Sequence, residues 1–205
     1  MDITSTDLFN IAGWLAVAVF AVSGALAAAE KQLDVLGFVL FGTVTGIGGG
    51  TVRDLILGVE VFWVANPIDL KICIASAIIT YFAAPHFIAR QRWLLWMDAM
   101  GLALFSVLGT AKAVSVGVDP VVACTMGMIT PSFGSVIRDI LLDRQPLLLQ
   151  PEIYVTAAMV GAVSYLVLNL LALPQLVVLL TAIALAFILR ALAIIYDLRL
   201  PKFNR

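Results

Sequence analysis

Charge is what this 205-residue chain has least of: only 12% of its residues are Asp, Glu, Lys or Arg. Soluble domains carry about 25% charged and about 45–50% apolar residues, whereas here 62% are apolar and the mean hydropathy is +1.09. Only a bilayer can solvate that much apolar surface in so short a chain. Two cysteines and one histidine leave no ligand cluster for a metal and no disulfide framework. Cys73 and Cys124 lie in apolar runs and read as small core residues. No nucleophile–base pair and no nucleotide loop is present, so an enzyme is excluded and no cofactor is expected. Basic clusters with interleaved aromatics are missing as well, which removes nucleic acid as a partner. Met1–Asn10 carries Asp2 and Asp7 without Lys or Arg, the wrong sign for the leading region of a signal peptide.

What is there is length without charge. A helix needs about 20 apolar residues to cross the hydrocarbon core. Seven such runs are expected, at about 9–29, 35–58, 68–89, 93–114, 120–142, 152–172 and 175–196. The fold class is an all-α integral membrane protein. With the N-terminus outside, Lys31, Arg90, Arg92, Arg138, Arg144, Arg190, Arg199, Lys202 and Arg205 fall inside. Arg53, Lys71 and Lys112 then fall outside, so the positive-inside bias predicts a cytoplasmic C-terminus.

Displacing the chain against itself by 85 residues pairs Phe20 with Phe105, Gly24 with Gly109, Asp34 with Asp119 and Gly42 with Gly127. The same shift pairs Thr45 with Thr130, Gly49 with Gly134, and Arg53-Asp54 with Arg138-Asp139. Shared Gly, Asp and Arg-Asp are not what chance produces between two Leu/Ala/Val-rich stretches. The reading is a single membrane domain over 1–205, with one copy at about 9–89, a second at about 93–172, and a seventh helix at about 175–196. Three spans per copy make the second copy inverted, an organisation that puts functional sites near the midplane.

The second span contains Thr45, Gly46, Gly48, Gly49, Gly50 and Thr51; the fifth contains Thr130, Pro131, Ser132, Phe133, Gly134 and Ser135. Glycine costs about 1 kcal/mol and proline about 3 kcal/mol in a helix interior, so both helices are expected to break there. Each break lies about 18 Å from its helix start, near mid-bilayer. Backbone carbonyls and hydroxyls at the breaks suit K⁺ or Na⁺, and the N-terminal ends of the second half-helices suit a carboxylate. A cation channel and a carrier for a small zwitterion both remain open. The alternative is that these glycines only let helices pack closely.

Arg53 and Arg138 lie about 27 Å along their spans, as snorkelling anchors or as charges guarding a pore mouth. Neighbours on a helix diverge by about 100°. Neither Arg is therefore expected to pair with the next residue, Asp54 or Asp139, and pairing across the repeat is the structural alternative. Asp98 and Lys112 stand about 21 Å apart at opposite ends of the fourth span, and intramembrane charges are functional candidates by default.

With Gly48-Gly49-Gly50-Thr51-Val52-Arg53-Asp54, repeated as Ser132-Phe133-Gly134-Ser135-Val136-Ile137-Arg138-Asp139, the sequence resembles the prokaryotic trimeric intracellular cation (TRIC) channels. It also resembles the wider bacterial family of glycine-transporter-like membrane proteins. Val61-Phe62-Trp63, the stretch Asp98–Phe105, and Lys112 carry the same resemblance, which runs from about Phe20 to Tyr165. It implies seven helices in a prokaryotic inner membrane, a homotrimer, and one K⁺/Na⁺ pore per protomer between the broken second and fifth helices. The second glycine triplet of the family is Phe133-Gly134-Ser135 here, which puts a bulky Phe133 where it could plug the path.

Overall fold

The computed structural model describes residues 5–86, 90–149, 153–171 and 173–200. Its helices are α1 (Ser5–Glu30), α2 (Val35–Leu57), α3 (Phe62–Ala65), α4 (Ile68–Ala83), α5 (Arg90–Val116), α6 (Pro120–Leu141), α7 (Val155–Leu170) and α8 (Gln175–Tyr196). Six helical segments are long and apolar enough to cross a membrane, and α7 is a shorter apolar helix. With the four-residue α3 set aside as a connector, the fold is the expected seven-helix membrane protein. The expected span ends at 87–89, 152 and 172, and the cations Lys202 and Arg205, lie outside the described residues.

The two aspartates that split the apolar runs are helix caps. Asp34 accepts from the Gly37 N–H at 2.8 Å, and Asp119 accepts from the Val121 N–H at 2.8 Å with Pro120 in the first turn. Both placements satisfy donors that a helix start leaves orphaned. At its other end α2 stops at Gly58, whose φ of 65° is the left-handed conformation of a helix C-terminus.

α1 and α5 form the centre. Each packs along the full-length helices of its own half, and the two pack on each other, while α2 and α6 cross between the halves. Phe20 and Phe105, 85 residues apart, meet there with ring centroids 5.2 Å apart. A Cβ added at Gly49 would lie 1.7 Å from the Thr130 carbonyl oxygen, and one at Gly134 would lie 2.7 Å from that of Thr45. Since 45 faces 134 and 49 faces 130, α2 and α6 run antiparallel. Their Arg-Asp pairs therefore sit at opposite ends of the molecule, and the two three-helix repeats are inverted. The 85-residue register recurs in other contacts. A Cβ at Gly24 would meet the Phe41 carbonyl oxygen and Thr45 Oγ1, and one at Gly109 would meet the Met126 carbonyl oxygen and Thr130 Oγ1.

The helices do not break where a break is expected. α2 is helical through Thr45, Gly46, Gly48, Gly49, Gly50 and Thr51, and α6 through Thr130, Pro131, Ser132, Phe133, Gly134 and Ser135. The reason is packing: side-chain-free positions let the α2 and α6 backbones touch, and that contact offsets the intrinsic cost of glycine. In α6 the Thr130 and Ser132 hydroxyls donate to the Met126 and Met128 carbonyls at 2.6 and 2.7 Å, bracketing the turn in which Pro131 offers no donor.

Candidate functional site: two guanidinium ends joined by a glycine seam

Each end of the α2–α6 pair is organised by its arginine. Both are buried, Arg53 at 6% and Arg138 at 0% exposure, so neither is a snorkelling anchor. Contrary to the helical-wheel expectation, each pairs with the residue that follows it. Arg53 Nε donates to Asp54 Oδ1 at 2.8 Å, and Arg138 Nε donates to Asp139 Oδ1 at 2.8 Å. The Cα–Cβ directions do diverge, but the long Arg side chain wraps back around the helix to reach its neighbour. The second carboxylate oxygen holds the chain eight residues on. Asp54 Oδ2 accepts from the Phe62 N–H at 3.0 Å, and Asp139 Oδ2 from the Leu147 N–H at 3.4 Å. The duplicated Arg-Asp is thus a clasp that folds the following segment back over the helix end. The cross-repeat pairs Arg53–Asp139 and Arg138–Asp54 do not form; each aspartate is taken by the arginine beside it.

The surroundings of the two clasps differ. Arg138 Nη1 also donates to Asp98 Oδ1 at 2.8 Å and to Ser23 Oγ at 2.7 Å, tying α6 to α5 and α1. Beside it, the Tyr154 hydroxyl lies 3.0 Å from Ser135 Oγ, and the Arg190 guanidinium stacks 5.2 Å from the Tyr154 ring centroid. Among the described residues, Arg138 Nη2 and Asp98 Oδ2 have no hydrogen-bond partner. A cavity of about 310 Å³ opens against this cluster, lined by Arg138, Asp139, Glu30, Arg144, Gln91 and Leu94 among others. Arg144 and Glu30 form an ion pair at its edge.

Around Arg53 the cluster is thinner. Its guanidinium lies 5.8 Å from the Phe62 ring centroid, and Trp63 Nε1 donates to Thr51 Oγ1 at 2.8 Å. The position that matches Asp98 is Gly13, and a Cβ built there would meet nothing within 4 Å. A cavity of about 800 Å³ fills this end, lined by Arg53, Gly13, Asp69, Lys112, Asn10, Asn169 and aromatic side chains including Phe62 and Tyr165. Asp98 and Lys112 therefore belong to different ends, as their spacing on α5 requires.

Between the ends, the seam is closed by backbone. Thr45 and Thr130 are buried, and their hydroxyls donate to the Phe41 and Met126 carbonyls at 2.7 and 2.6 Å. Thr51 and Ser135 likewise donate to carbonyls of their own helices. Phe133 is 39% exposed and lines neither cavity, so its ring is not what closes the seam. Sequence reasoning missed Ser23, Tyr154, Arg190 and the Glu30–Arg144 pair. Arg190, a charge in the middle of the apolar run 175–196, was the one with a legible signal.

A seven-helix inverted-repeat protein with a buried guanidinium at each end of a glycine seam has close counterparts. A TRIC trimeric intracellular cation channel orthologue from Rhodobacter sphaeroides superposes with a TM-score of 0.90 at 42% identity, covering 93% of this chain and 99% of that one. A second solved TRIC cation channel matches with a TM-score of 0.85 at 32% identity, over 97% of this chain and 98% of the other. These neighbours are channels, not enzymes. The inner membrane protein YadS of Escherichia coli is 35% identical over 199 residues, 93% of this chain and 95% of that protein. The family model described as Glycine transporter matches residues 10–85 and again 95–169. The chain belongs to that glycine-transporter family.

Proposed function

We propose that the protein is a monovalent cation (K⁺/Na⁺) channel of the inner membrane. It works as a homotrimer with one path in each protomer along α2 and α6. The observation that carries this reading is the pair of cavities at opposite ends of α2–α6, with the two helices in backbone contact at Gly49 and Gly134 between them and the Phe20 ring beside that contact. The likeness to TRIC cation channels at 42% identity supports it. In this reading the described conformation is the closed one, with the Thr45 and Thr130 carbonyls each covered by a glycine of the facing helix. A small separation of α2 from α6 uncovers both carbonyls at once, because they are related by the repeat. Backbone oxygens of this kind replace the hydration shell of a monovalent ion. Arg53 and Arg138 stand at the two mouths, with Lys112 beside the first. The repeats run over about 9–89 and 93–172, followed by the helix at 175–196, and the Arg53 end faces outward with the N-terminus.

A second reading, a carrier for glycine or another small neutral amino acid, is favoured by the description of the family and by a cavity that offers both Lys112 and Asp69. Purified protein in a planar bilayer separates the two. Unitary K⁺ currents in KCl, unchanged by added glycine, support the channel. Saturable glycine counterflow without unitary current establishes the carrier and ends the channel reading.

A further inference from the structure

The 85-residue register lets each group at one end be compared with the residue that fills its place at the other. Asp98, the second counter-ion of Arg138, corresponds to Gly13; Ser23 corresponds to Leu108; Tyr154 corresponds to Asp69. Gly13, Leu108 and Asp69 all line the larger cavity. The Arg53 end thus lacks the α5 carboxylate of the Arg138 end, and carries instead a carboxylate on α4 at the place where the other end has a phenol.

Asp69 is only 9% exposed, yet no other described residue hydrogen-bonds or ion-pairs with its carboxylate. That is unlike Asp98, which is spoken for by Arg138. The charges lining the cavity include Arg53, Lys112 and Asp69. Arg53 is neutralised by Asp54, which leaves Lys112 and Asp69 as opposing charges that form no ion pair with each other. A carboxylate so buried, with only its own backbone N–H donating to it, pays a desolvation cost that a bound cation offsets. Its place in the first turn of α4 offers the helix dipole as partial compensation, and one backbone N–H uses only part of the accepting capacity of two carboxylate oxygens.

We propose that Asp69 is the cation-accepting group of the Arg53-side cavity. It holds one monovalent cation there, and it sets cation over anion preference at an entrance that Lys112 would otherwise make anion-attracting, the Arg53 charge being balanced by Asp54. The proposal rests on the channel reading for its transport consequence, and on the geometry of the cavity alone for binding. A unit charge about 5 Å from an ion path changes local cation occupancy by about fourfold in water-like surroundings, and by less at high salt through screening.

The experiment uses an Asp69→Cys variant in a Cys73→Ala, Cys124→Ala background, recorded in planar bilayers before and after thiol modification, with labelling checked by intact mass. Conductance in dilute KCl and the K⁺ to Cl⁻ permeability ratio are expected to fall about fourfold relative to the parent. Both should recover when a sulfonate-bearing methanethiosulfonate attaches, and fall further with a trimethylammonium-bearing one. Comparing the same molecules before and after labelling removes folding as an explanation. Conductance and permeability ratio indifferent to the charge at position 69 overturn the proposal. A parent without K⁺ current overturns the channel reading instead, and Tl⁺ binding to the detergent-solubilised protein then decides on Asp69. Binding lost in Asp69→Asn and kept in Asp69→Glu upholds the site, whereas equal binding in Asp69→Asn overturns it.

Discussion

Removing the charge of Asp98 is the sharpest test of how the Arg138 end is held together. Arg138, Asp98, Asp139 and Arg190 make two cations and two anions buried around Tyr154, which lies within electrostatic reach of Asp98, Arg138 and Arg190. Asp98→Asn keeps the side-chain shape and an oxygen for Arg138 Nη1, but leaves a net positive charge buried. A unit pair about 4 Å apart at an effective dielectric of about 20 interacts by about 4 kcal/mol. Measured losses on removing one partner of a buried pair run to about 3–5 kcal/mol. The two routes agree, and for a chain of this size they translate into a fall in Tm of about 6–20 °C. The assay is thermal unfolding of the purified protein in detergent, followed by size-exclusion recovery, with Arg138→Gln and the double variant completing a cycle. The cycle should show the two substitutions coupled, because each removes the other's partner. A fall below about 2 °C for Asp98→Asn, or additive effects in the double variant, refutes the idea that this ion pair holds α5 to α6.

Overpacking the seam should be graded by distance. Gly49→Ala, whose Cβ would sit 1.7 Å from the Thr130 carbonyl oxygen, should lose about 3 kcal/mol, and Gly134→Ala, at 2.7 Å from that of Thr45, nearer 1 kcal/mol; equal small losses in chemical denaturation would mean the helices are not in contact there. At Gly13 an added Cβ meets nothing within 4 Å and the position lines the larger cavity, so Gly13→Asp should give Arg53 the second counter-ion that Arg138 has, changing bilayer conductance while Tm holds or rises. A fall in Tm would argue that the register between the ends is wrong. In a background without Cys73 and Cys124, Gln32→Cys should react with an impermeant thiol reagent from the cytoplasm alone and Val118→Cys from outside alone. Labelling of both from one side would remove the proposed sidedness. Arg53→Gln should raise cation current entering from its own side more than from the other, and Arg138→Gln the reverse; symmetric currents from a stable Arg53→Gln protein would leave the arginines as structural clasps only.

The seven helices and the duplication were legible because they rest on signals that survive without tertiary information. Apolar length between charges marks the spans, and Asp34 and Asp119 mark where two of them start. The 85-residue register was carried by Gly, Asp and Arg-Asp, residues too specific to recur by chance. What misled was local. Glycine and proline propensities describe an isolated helix, and predict a break at Gly46–Gly50 and at Pro131. Contact between α2 and α6 reverses that preference, because a helix without side chains on one face can approach another closely, whereas a broken one in lipid must find partners for every freed group. The Arg-Asp pairing failed in the same way: backbone geometry gives the direction of Cβ but not the reach of a guanidinium. Ser23, Tyr154 and Asp69 carried no local signal, since each matters only through a neighbour far away in the chain.

Inversion of a duplicated unit would by itself give two equivalent ends, and a path whose ends are equivalent has no reason to close at one before the other. Among the substitutions that break the equivalence, two change charge beside the arginines: Asp98 stands where the other copy has Gly13, and Tyr154 where it has Asp69. At the Arg138 end an acid on α5 is bound to the guanidinium, a phenol stacks under Arg190, and the cavity is about 310 Å³. At the Arg53 end the α5-type acid is replaced by Gly13, an unpaired acid stands on α4, and the cavity is about 800 Å³. A guanidinium held by two carboxylates and a hydroxyl has to lose buried partners before it can move, at several kcal/mol each. Arg53, whose one ion pair among the described residues is with its own neighbour on the same helix and whose other contact is the Phe62 ring, moves with that helix. If α2 and α6 separate to open the seam, the Arg53 end can follow at little cost, and the Arg138 cluster is the part that resists. The barrier to opening therefore belongs at the Arg138 end. By the same reasoning Asp98→Asn, besides lowering Tm, should raise the open probability of any K⁺ current the protein carries, while Asp69→Asn should change ion preference and leave open probability alone.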